Sequence, residues 1–380
     1  MMHILSRLRL ADEWLATIAI TAACVVAAMN VAHGEIAQAV AVDRSPFAAV
    51  EPTAAIPEAA VAPIDVSAAP RLDRPAEPHW TRYGYAEALI MGRDNQSFNR
   101  PLLVDDTLTQ TLLTTQDLQF PFGGGTRLFY GAVGCDCRGW EIGYFGLYNQ
   151  VADATMTEAA AGSKLYLPGA LGPQLDPSGA DSATFTYRST INNVEANVFH
   201  HFLRWNPYRQ AWLEVDWLTG FRYVNVDEYA NLGLICCGGD ETPFYRVATR
   251  NNMFGAQVGG RARWNWERWA IECWGKAAIL GNAQQQIQSP VISATGDLLR
   301  DGRSSSGVVP GMVADINVST IYRLTEVWGI RAGYNMIWLG GVALAPNQFD
   351  FGDAAAAGTL RQPNDSIFLM GANLGLEARW

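Results

Sequence analysis

The chain has few charged residues, no basic run and few histidines. Only 17% of its 380 residues are charged, and Lys and Arg number 27 against 37 Asp and Glu. The net charge of −10 makes nucleic acid a poor partner, because no basic cluster is present to neutralise phosphates. No amphipathic helix of convincing length is found either, which argues against an α-helical fold.

Apolar and aromatic residues are abundant instead. Hydrophobic residues make up 49% of the chain, with 13 Trp, 13 Tyr and 36 Gly. This mixture favours many strands and turns over helices.

The first 78 residues differ from the rest. Arg7 and Arg9 precede an apolar run from Trp14 to about Ala32, so we interpret residues 1–34 as a signal peptide. A retained membrane anchor is the alternative. Residues 35–78 are rich in Ala and Pro without a sustained period, which predicts a disordered linker.

Ten segments with alternating faces follow within residues 79–380. Short and long connections alternate between them without exception. The segments are 80–91, 125–134, 139–149, 190–204, 212–228, 248–265, 268–288, 309–323, 328–343 and 366–380. The long connections are 92–124, 150–189, 229–247, 289–308 and 344–365.

This alternation predicts an all-β transmembrane fold. It is typical of antiparallel up-and-down barrels of the outer membrane, whose periplasmic turns are short and whose outer loops are long. We predict about ten strands (10–12), both termini in the periplasm, and export through the inner membrane to a Gram-negative-type outer membrane. A soluble sandwich or propeller is the alternative, although several segments exceed the usual five or six residues.

Several stretches resemble one known family. They include "YGYAEALIMGR" (83–93), "GWEIGYFGLYNQ" (139–150), "LEVDWLTGFRYVNVDE" (213–228), "FGAQVGGRARW" (254–264) and "GANLGLEARW" (371–380). In this order they are similar to the planctomycete beta-barrel porin family often labelled BBP7. The resemblance implies an outer-membrane porin and supplies no catalytic residues.

Polar residues on the alternate faces are expected to line the lumen, because Arg or Lys facing lipid costs roughly 2–4 kcal/mol at the midplane. They form either an ion-selective constriction or a salt-bridged core that fills a narrow barrel. The candidates are Glu87, Arg127, Glu195, Glu214, Asp216, Arg222, Gln257, Arg261, Arg263, Glu272, Lys276, Asp315, Asn317, Arg331, Asn335 and Glu377.

The last strand carries apolar residues at every second position up to a terminal aromatic. Leu374, Leu376, Ala378 and Trp380 resemble the signal read by the barrel assembly machinery. We therefore expect that machinery and outer-membrane lipid as partners.

No catalytic, cofactor-binding or metal site is predicted. The topology puts the Cys135–Cys137 turn and the Cys236–Cys237 loop on opposite sides of the membrane. His200 and His201 fall near the periplasmic base, away from an external substrate.

The favoured function is passive passage of small solutes or ions. A structural or adhesive surface barrel, closed by its own charges, is the alternative. An outer-membrane hydrolase is a third and weaker interpretation.

Overall fold

The computed structural model describes residues 80–380 apart from positions 96, 176–177, 209–210, 236–240 and 294. The predicted signal peptide (1–34) and linker (35–78) lie outside the described residues. Within the described part, no helix has the length and apolar character needed to cross a bilayer.

Ten strands form one closed barrel, in which each strand pairs antiparallel with its neighbours in the chain and the first pairs with the last. The predicted up-and-down barrel is confirmed. The strands are β1 (Thr81–Arg93), β2 (Gly123–Val133), β3 (Arg138–Thr157), β4 (Ser182–Tyr208), β5 (Ala211–Ile235), β6 (Glu241–Trp266), β7 (Trp269–Gln288), β8 (Arg303–Arg323), β9 (Trp328–Val342) and β10 (Asp365–Arg379).

The two faces of each strand separate by polarity. On β9, Trp328 and Tyr334 are exposed on the outer surface, whereas Arg331 and Asn335 are buried inside. Successive side chains of a strand point to opposite faces, so one alternating sequence supplies both an apolar exterior and a polar interior.

The barrel has a turn end and a loop end. The short connections and both ends of the barrel domain lie at the turn end, where Arg82 and Trp380 exchange two backbone hydrogen bonds of 2.8 and 3.0 Å. At the loop end, longer connections join β1 to β2, β3 to β4, β7 to β8 and β9 to β10.

Several strands continue further towards the loop end than the sequence predicts. The expected loop 229–247 is mostly the β5–β6 hairpin, and the expected loop 150–189 shrinks because β3 reaches Thr157 and β4 starts at Ser182. These extensions alternate small or apolar inward residues with Thr, Asn and Arg outward. That pattern is typical of a sheet in water rather than in lipid.

The loop-end connections fold into the mouth of the barrel. They contain two strand pairs (Pro101–Val104 with Thr111–Thr114, and Val291–Ile292 with Leu298–Arg300), two helices (Glu158–Ala161 and Leu171–Leu175) and two 3-10 turns (Thr115–Asp117 and Ala345–Gln348). Leu102, Leu118 and Leu171 from the connections pack with Phe185 and Tyr245 from the wall in one apolar cluster.

A salt bridge anchors the connection between β3 and β4 at its base. The Lys164 ammonium contacts the carboxylates of Asp181 and Glu158, and the hydrogen bonds to both raise the pKa of Lys164 above its ordinary value.

Candidate functional site: the filled lumen

Charged side chains of balanced sign fill the half of the lumen nearest the turn end. Seven carboxylates and seven cationic groups, all carried by the strands, are joined by salt bridges. All of these side chains are at most 5% exposed, except Arg261 at 13% and Arg379 at 37%. We call this set the ion network: Glu87, Arg127, Glu141, Glu195, Asp216, Arg222, Arg261, Arg263, Glu272, Lys276, Asp315, Arg331, Glu377 and Arg379.

Arg331 of β9 has the most carboxylate partners in the ion network. Its guanidinium lies 2.7 Å from a carboxylate oxygen of Glu87, 2.7 Å from Glu272 and 3.3 Å from Glu377. It also lies 4.5 Å from the centre of the Tyr85 ring. A buried charge is tolerated when it is paired and hydrogen-bonded, and Arg331 meets both conditions.

Lys276 of β7 occupies a second position of this kind. Its ammonium lies 3.0 Å from Glu195 and 3.4 Å from Glu141, between the rings of Phe129 and Trp274 at 4.7 and 4.6 Å. Aromatic faces attract cations, so these two rings supplement the carboxylates.

A third group lies towards the turn end. Arg261 donates to Asp216 at 2.8 Å and to Glu141 at 2.9 Å, and Tyr83 donates to the same Glu141 at 2.7 Å. The His201 ring contacts Asp216 from the half-buried rim. These contacts continue the ion network almost to the opening.

Amide side chains connect the charged groups. Arg127 donates to Asn335 at 2.5 Å, and the Asn373 amide donates to Glu87 at 2.7 Å. Asn317 donates to Asn335 at 2.7 Å, and Gln257 donates to Glu195 at 2.7 Å. With these bonds, polar contacts join residues from all ten strands across the lumen.

An apolar layer lies directly above the ion network, towards the loop end. It is formed by inward side chains of the wall and by Leu344 from the connection between β9 and β10. Leu89, Leu147, Val226 and Leu369 in this layer are at most 1% exposed. The apolar side chains offer no hydrogen-bond partners, whereas the buried amides Asn251 and Asn282 border this layer.

The connection between β9 and β10 enters the lumen and is held by hydrogen bonds. The Asn251 side chain accepts from the Ala343 backbone N–H at 2.8 Å and donates to its carbonyl at 3.0 Å. Ala345 N–H donates to Glu228 at 2.9 Å, and Glu228 in turn pairs with Arg93 at 2.5 Å. We call residues 343–348 the inner segment.

The predicted lumen residues lie inside the barrel, with one at its rim. Every predicted charged residue except Glu214 belongs to the ion network, and the amides Gln257, Asn317 and Asn335 are buried beside it. Glu214 is 22% exposed near the turn end and lies 3.9 Å from the exposed Arg204.

Sequence reasoning missed the aromatic part of the lumen. Tyr85, Phe129 and Trp274 face inward against cations, and none of the three is among the predicted lumen residues. The alternation of strand faces was the available signal, because residues two positions apart point to the same side. Tyr85 precedes Glu87 by two positions, and Trp274 lies between Glu272 and Lys276, so all of them face the lumen.

The outer surface carries an apolar band between aromatic residues. Trp264 and Phe254 lie ten positions apart on β6, and Trp328 and Trp338 lie ten apart on β9; all four are exposed. With a rise of 3.4 Å per residue and a tilt of about 40°, ten residues span roughly 26 Å, close to the apolar band of outer-membrane barrels.

The predicted assembly residues lie on this outer surface at the closing strand. Leu374, Leu376 and Trp380 are at least half exposed, and Ala378 is covered by its neighbours. The Trp380 ring lies 6.3 Å from that of Tyr130. That the barrel assembly machinery recognises these residues stays a prediction.

Comparison with solved structures finds other barrels at low identity. The outer membrane protease OmpT from Escherichia coli has a TM-score of 0.46 at 8% identity, covering 81% of this chain and 99% of that one. A major outer membrane protein from Thermus thermophilus has a TM-score of 0.32 at 10% identity, covering 79% and 99%. The Pseudomonas putida toluene transporter TodX has a TM-score of 0.23 at 10% identity, covering 79% and 90%.

The sequence comparison identifies the family. None of the curated proteins matches the chain. The sequence profile described as Putative beta barrel porin-7 (BBP7) matches residues 178–380, more than half of the chain and the last seven strands of the barrel. The chain is therefore an outer-membrane β-barrel, and it belongs to the Putative beta barrel porin-7 (BBP7) family.

Proposed function

We propose that this protein is a closed outer-membrane barrel with a structural or surface-presenting role. The observation that carries the proposal is the ion network, in which fourteen charges, twelve of them at most 5% exposed, neutralise one another across the lumen. Ten strands enclose little more space than eight, and an eight-stranded interior is just filled by side chains.

Free energy favours keeping this network closed. Separating one buried pair to admit a solute costs about 3–5 kcal/mol if the remaining charge stays unpaired. A conducting path would require several pairs to part together and the apolar layer above them to become wet.

Passive passage of small solutes or ions is the second candidate. It is supported by the description of the family as porins and by the inner segment, which enters the lumen from a loop. On this candidate the inner segment acts as a gate, and solutes pass when it leaves.

Planar-bilayer conductance tests the two candidates. Two proteins are compared: the wild type and a variant in which residues 343–361 are replaced by a short Gly-Ser linker. The closed-barrel proposal expects no discrete steps from either, because the ion network remains in the variant. Steps from the variant alone would favour the gated pore, and steps from both would refute closure.

Heat-modifiable gel mobility provides the control for this experiment. Each preparation must migrate as a folded barrel before an absence of current steps is interpreted. An open sixteen-stranded porin reconstituted in the same bilayers shows that the assay detects pores.

The route and the partners follow from the same proposal. We infer export by the signal peptide of residues 1–34 and insertion by the barrel assembly machinery, with lipid around the outer band. We propose no catalysis. Within the described residues, both histidines, His200 and His201, lie near the turn end, which we infer faces the periplasm. A hydrolase acting at the cell surface would need its general base at the loop end.

A further inference from the structure

The outer surface of β4, β5 and β6 changes from apolar to polar in aligned rows. Val194, Tyr223 and Phe254 form the last row of the apolar band, since the register pairs them across the three strands. Asparagines form the next row towards the loop end, and they are Asn192, Asn225 and Asn252. The wall therefore leaves the hydrocarbon at this level.

Two further rows cross four strands above the asparagines. The register of β4 to β7 aligns the members of each row side by side on the outer face. The lower row is polar and consists of Thr190, Asp227, Arg250 and Gln285. The upper row consists of Arg188, Tyr229, Ala248 and Ile287.

The upper row contains a hollow at Ala248. This small side chain lies between Tyr229 and Ile287 in the register, so two larger side chains flank it. The depression at this point has a volume of about 340 Å³ and is lined by residues of both rows. That volume lies at the lower end of the range for ligand sites, roughly 300–1,000 Å³.

Contacts within the wall hold the sides of the hollow in place. Arg250 donates through Nε to Asp227 at 2.9 Å, and the Asn225 amide donates to the same carboxylate at 3.4 Å. The Arg246 guanidinium, from the row above, lies 5.0 Å from the centre of the Tyr229 ring. A site that is formed before its ligand arrives loses less binding free energy to ordering.

The rim of the hollow has unused hydrogen-bonding groups. Among the described residues, none accepts a hydrogen bond from the exposed Arg188 guanidinium, and none bonds to the exposed Gln285 amide. The Arg250 side chain remains 60% exposed and that of Asp227 43%. A guanidinium only donates, a carboxylate only accepts and an amide does both, so the rim offers donors and acceptors close together.

Charges of both signs surround the hollow. The three arginines Arg188, Arg246 and Arg250 lie near the two carboxylates of Asp153 and Asp227, which come from β3 and β5. This near balance disfavours a phosphate or another anion, because the carboxylates would repel it. A neutral ligand that is rich in donors and acceptors fits the hollow better.

The hollow lies above the lipid headgroups. At a rise of 3.4 Å per residue and a tilt of about 40°, Arg250 and Ala248 lie roughly 10 and 16 Å beyond Phe254 along the membrane normal. Headgroups extend only about 5–8 Å beyond the hydrocarbon. A ligand in the hollow is therefore a water-soluble molecule or the outermost part of a lipid with a long headgroup.

We propose that the hollow at Ala248 binds a neutral saccharide. A sugar ring presents C–H groups on its faces and hydroxyls around its edge. The C–H groups pack against Tyr229 and Ile287, and the hydroxyls, which both donate and accept, bond to Asp227 and Gln285. A free sugar and the outer sugars of a lipid-linked glycan share this chemistry.

Saturation-transfer difference NMR of the full-length barrel tests the site, in an amine-oxide detergent that carries no sugar. The probes are the methyl glycosides of glucose, galactose, mannose and N-acetylglucosamine. We expect wild type to bind at least one of them with a Kd of about 10 mM or lower. An absence of saturation transfer to all four at about 50 mM would overturn the proposal.

The variant Ala248→Leu fills the hollow and should weaken binding at least about tenfold. Its matched control is Ala256→Leu, on the same face of β6 but within the apolar band, which should leave the Kd within about twofold. Gln285→Ala removes only an exposed side chain, so it should fold as wild type does and weaken binding about threefold or more. Equal affinities of Ala248→Leu and its control would contradict the proposal.

A peptide is the other class of ligand that donates and accepts in this way, and the tripeptide Ala-Ala-Ala is its probe. Saturation transfer to the tripeptide that Ala248→Leu abolishes, with none to the glycosides, would refute the saccharide.

Competition in nanodiscs distinguishes the two sources of sugar. Lipopolysaccharide with its core sugars should block the glycoside, and lipid A should not, if the ligand is lipid-linked. Equal glycoside binding in both kinds of nanodisc assigns a free sugar. These outcomes are independent of the conductance experiment, because a closed and an open barrel present the same outer wall.

Discussion

Replacement of Arg331 by Met should destabilise the barrel more than replacement of any single exposed charged residue does. The change removes a cation that contacts all three of Glu87, Glu272 and Glu377. Each keeps another cation, such as Arg263 at 3.2 Å from Glu272 and 2.7 Å from Glu377. We therefore expect a loss of about 3 kcal/mol, the lower end of the range for breaking a buried pair.

The second arm is a double-mutant cycle with Glu87. Glu87→Gln alone should cost about 1–3 kcal/mol, because Arg331 retains two other carboxylates. The double variant should be more stable than the sum of the single effects by at least about 1 kcal/mol, since it removes one charge of each sign.

Reversible urea unfolding in lipid vesicles, followed by tryptophan fluorescence, supplies the free energies. Arg204→Met is the matched control, because Arg204 is 69% exposed and 3.9 Å from Glu214, so its loss should cost less than about 1 kcal/mol. If Arg331→Met behaves like this control, or if the cycle is additive within about 0.5 kcal/mol, the lumen is solvated and the closed-barrel argument fails.

Three further predictions concern other parts of the barrel. Tyr334→Arg puts a cation on the lipid face at a cost of roughly 2–4 kcal/mol, and the folded band on unheated gels should disappear, whereas Tyr334→Leu should keep it. Asn251→Ala removes both hydrogen bonds to Ala343 and should cost about 1–3 kcal/mol in urea without producing conductance; steps in a bilayer would contradict the role of the ion network. Trp380→Ser should lower the yield of assembled barrel in cells, and an unchanged yield would remove the assembly interpretation.

The period-two pattern predicted the fold because each strand lies between two solvents of opposite character. Arg331 has an odd number and Tyr334 an even one, so they lie on opposite faces of β9. This alternation alone puts Arg331 in the lumen and Tyr334 in lipid. The pattern stopped being informative above the membrane. There the inward and outward residues of the wall differ less in polarity, so the loop-end residues 229–235 of β5 and 241–247 of β6 were taken for a loop.

The contents of the lumen could be predicted as a set, but their pairing could not. Lys276 and Glu195 lie on strands that are not neighbours, and their 3.0 Å contact crosses the lumen. Such contacts depend on barrel diameter and shear, which a single strand does not encode.

The unequal height of the wall affects which parts of the protein an antibody can reach. From Asn225, β5 continues ten residues to Ile235, or about 26 Å, whereas β9 ends four residues beyond Trp338. The rim is therefore slanted. A carbohydrate coat of moderate depth would hide the side formed by β9 and β10, so antibodies against intact cells should be directed chiefly to the β5–β6 crest.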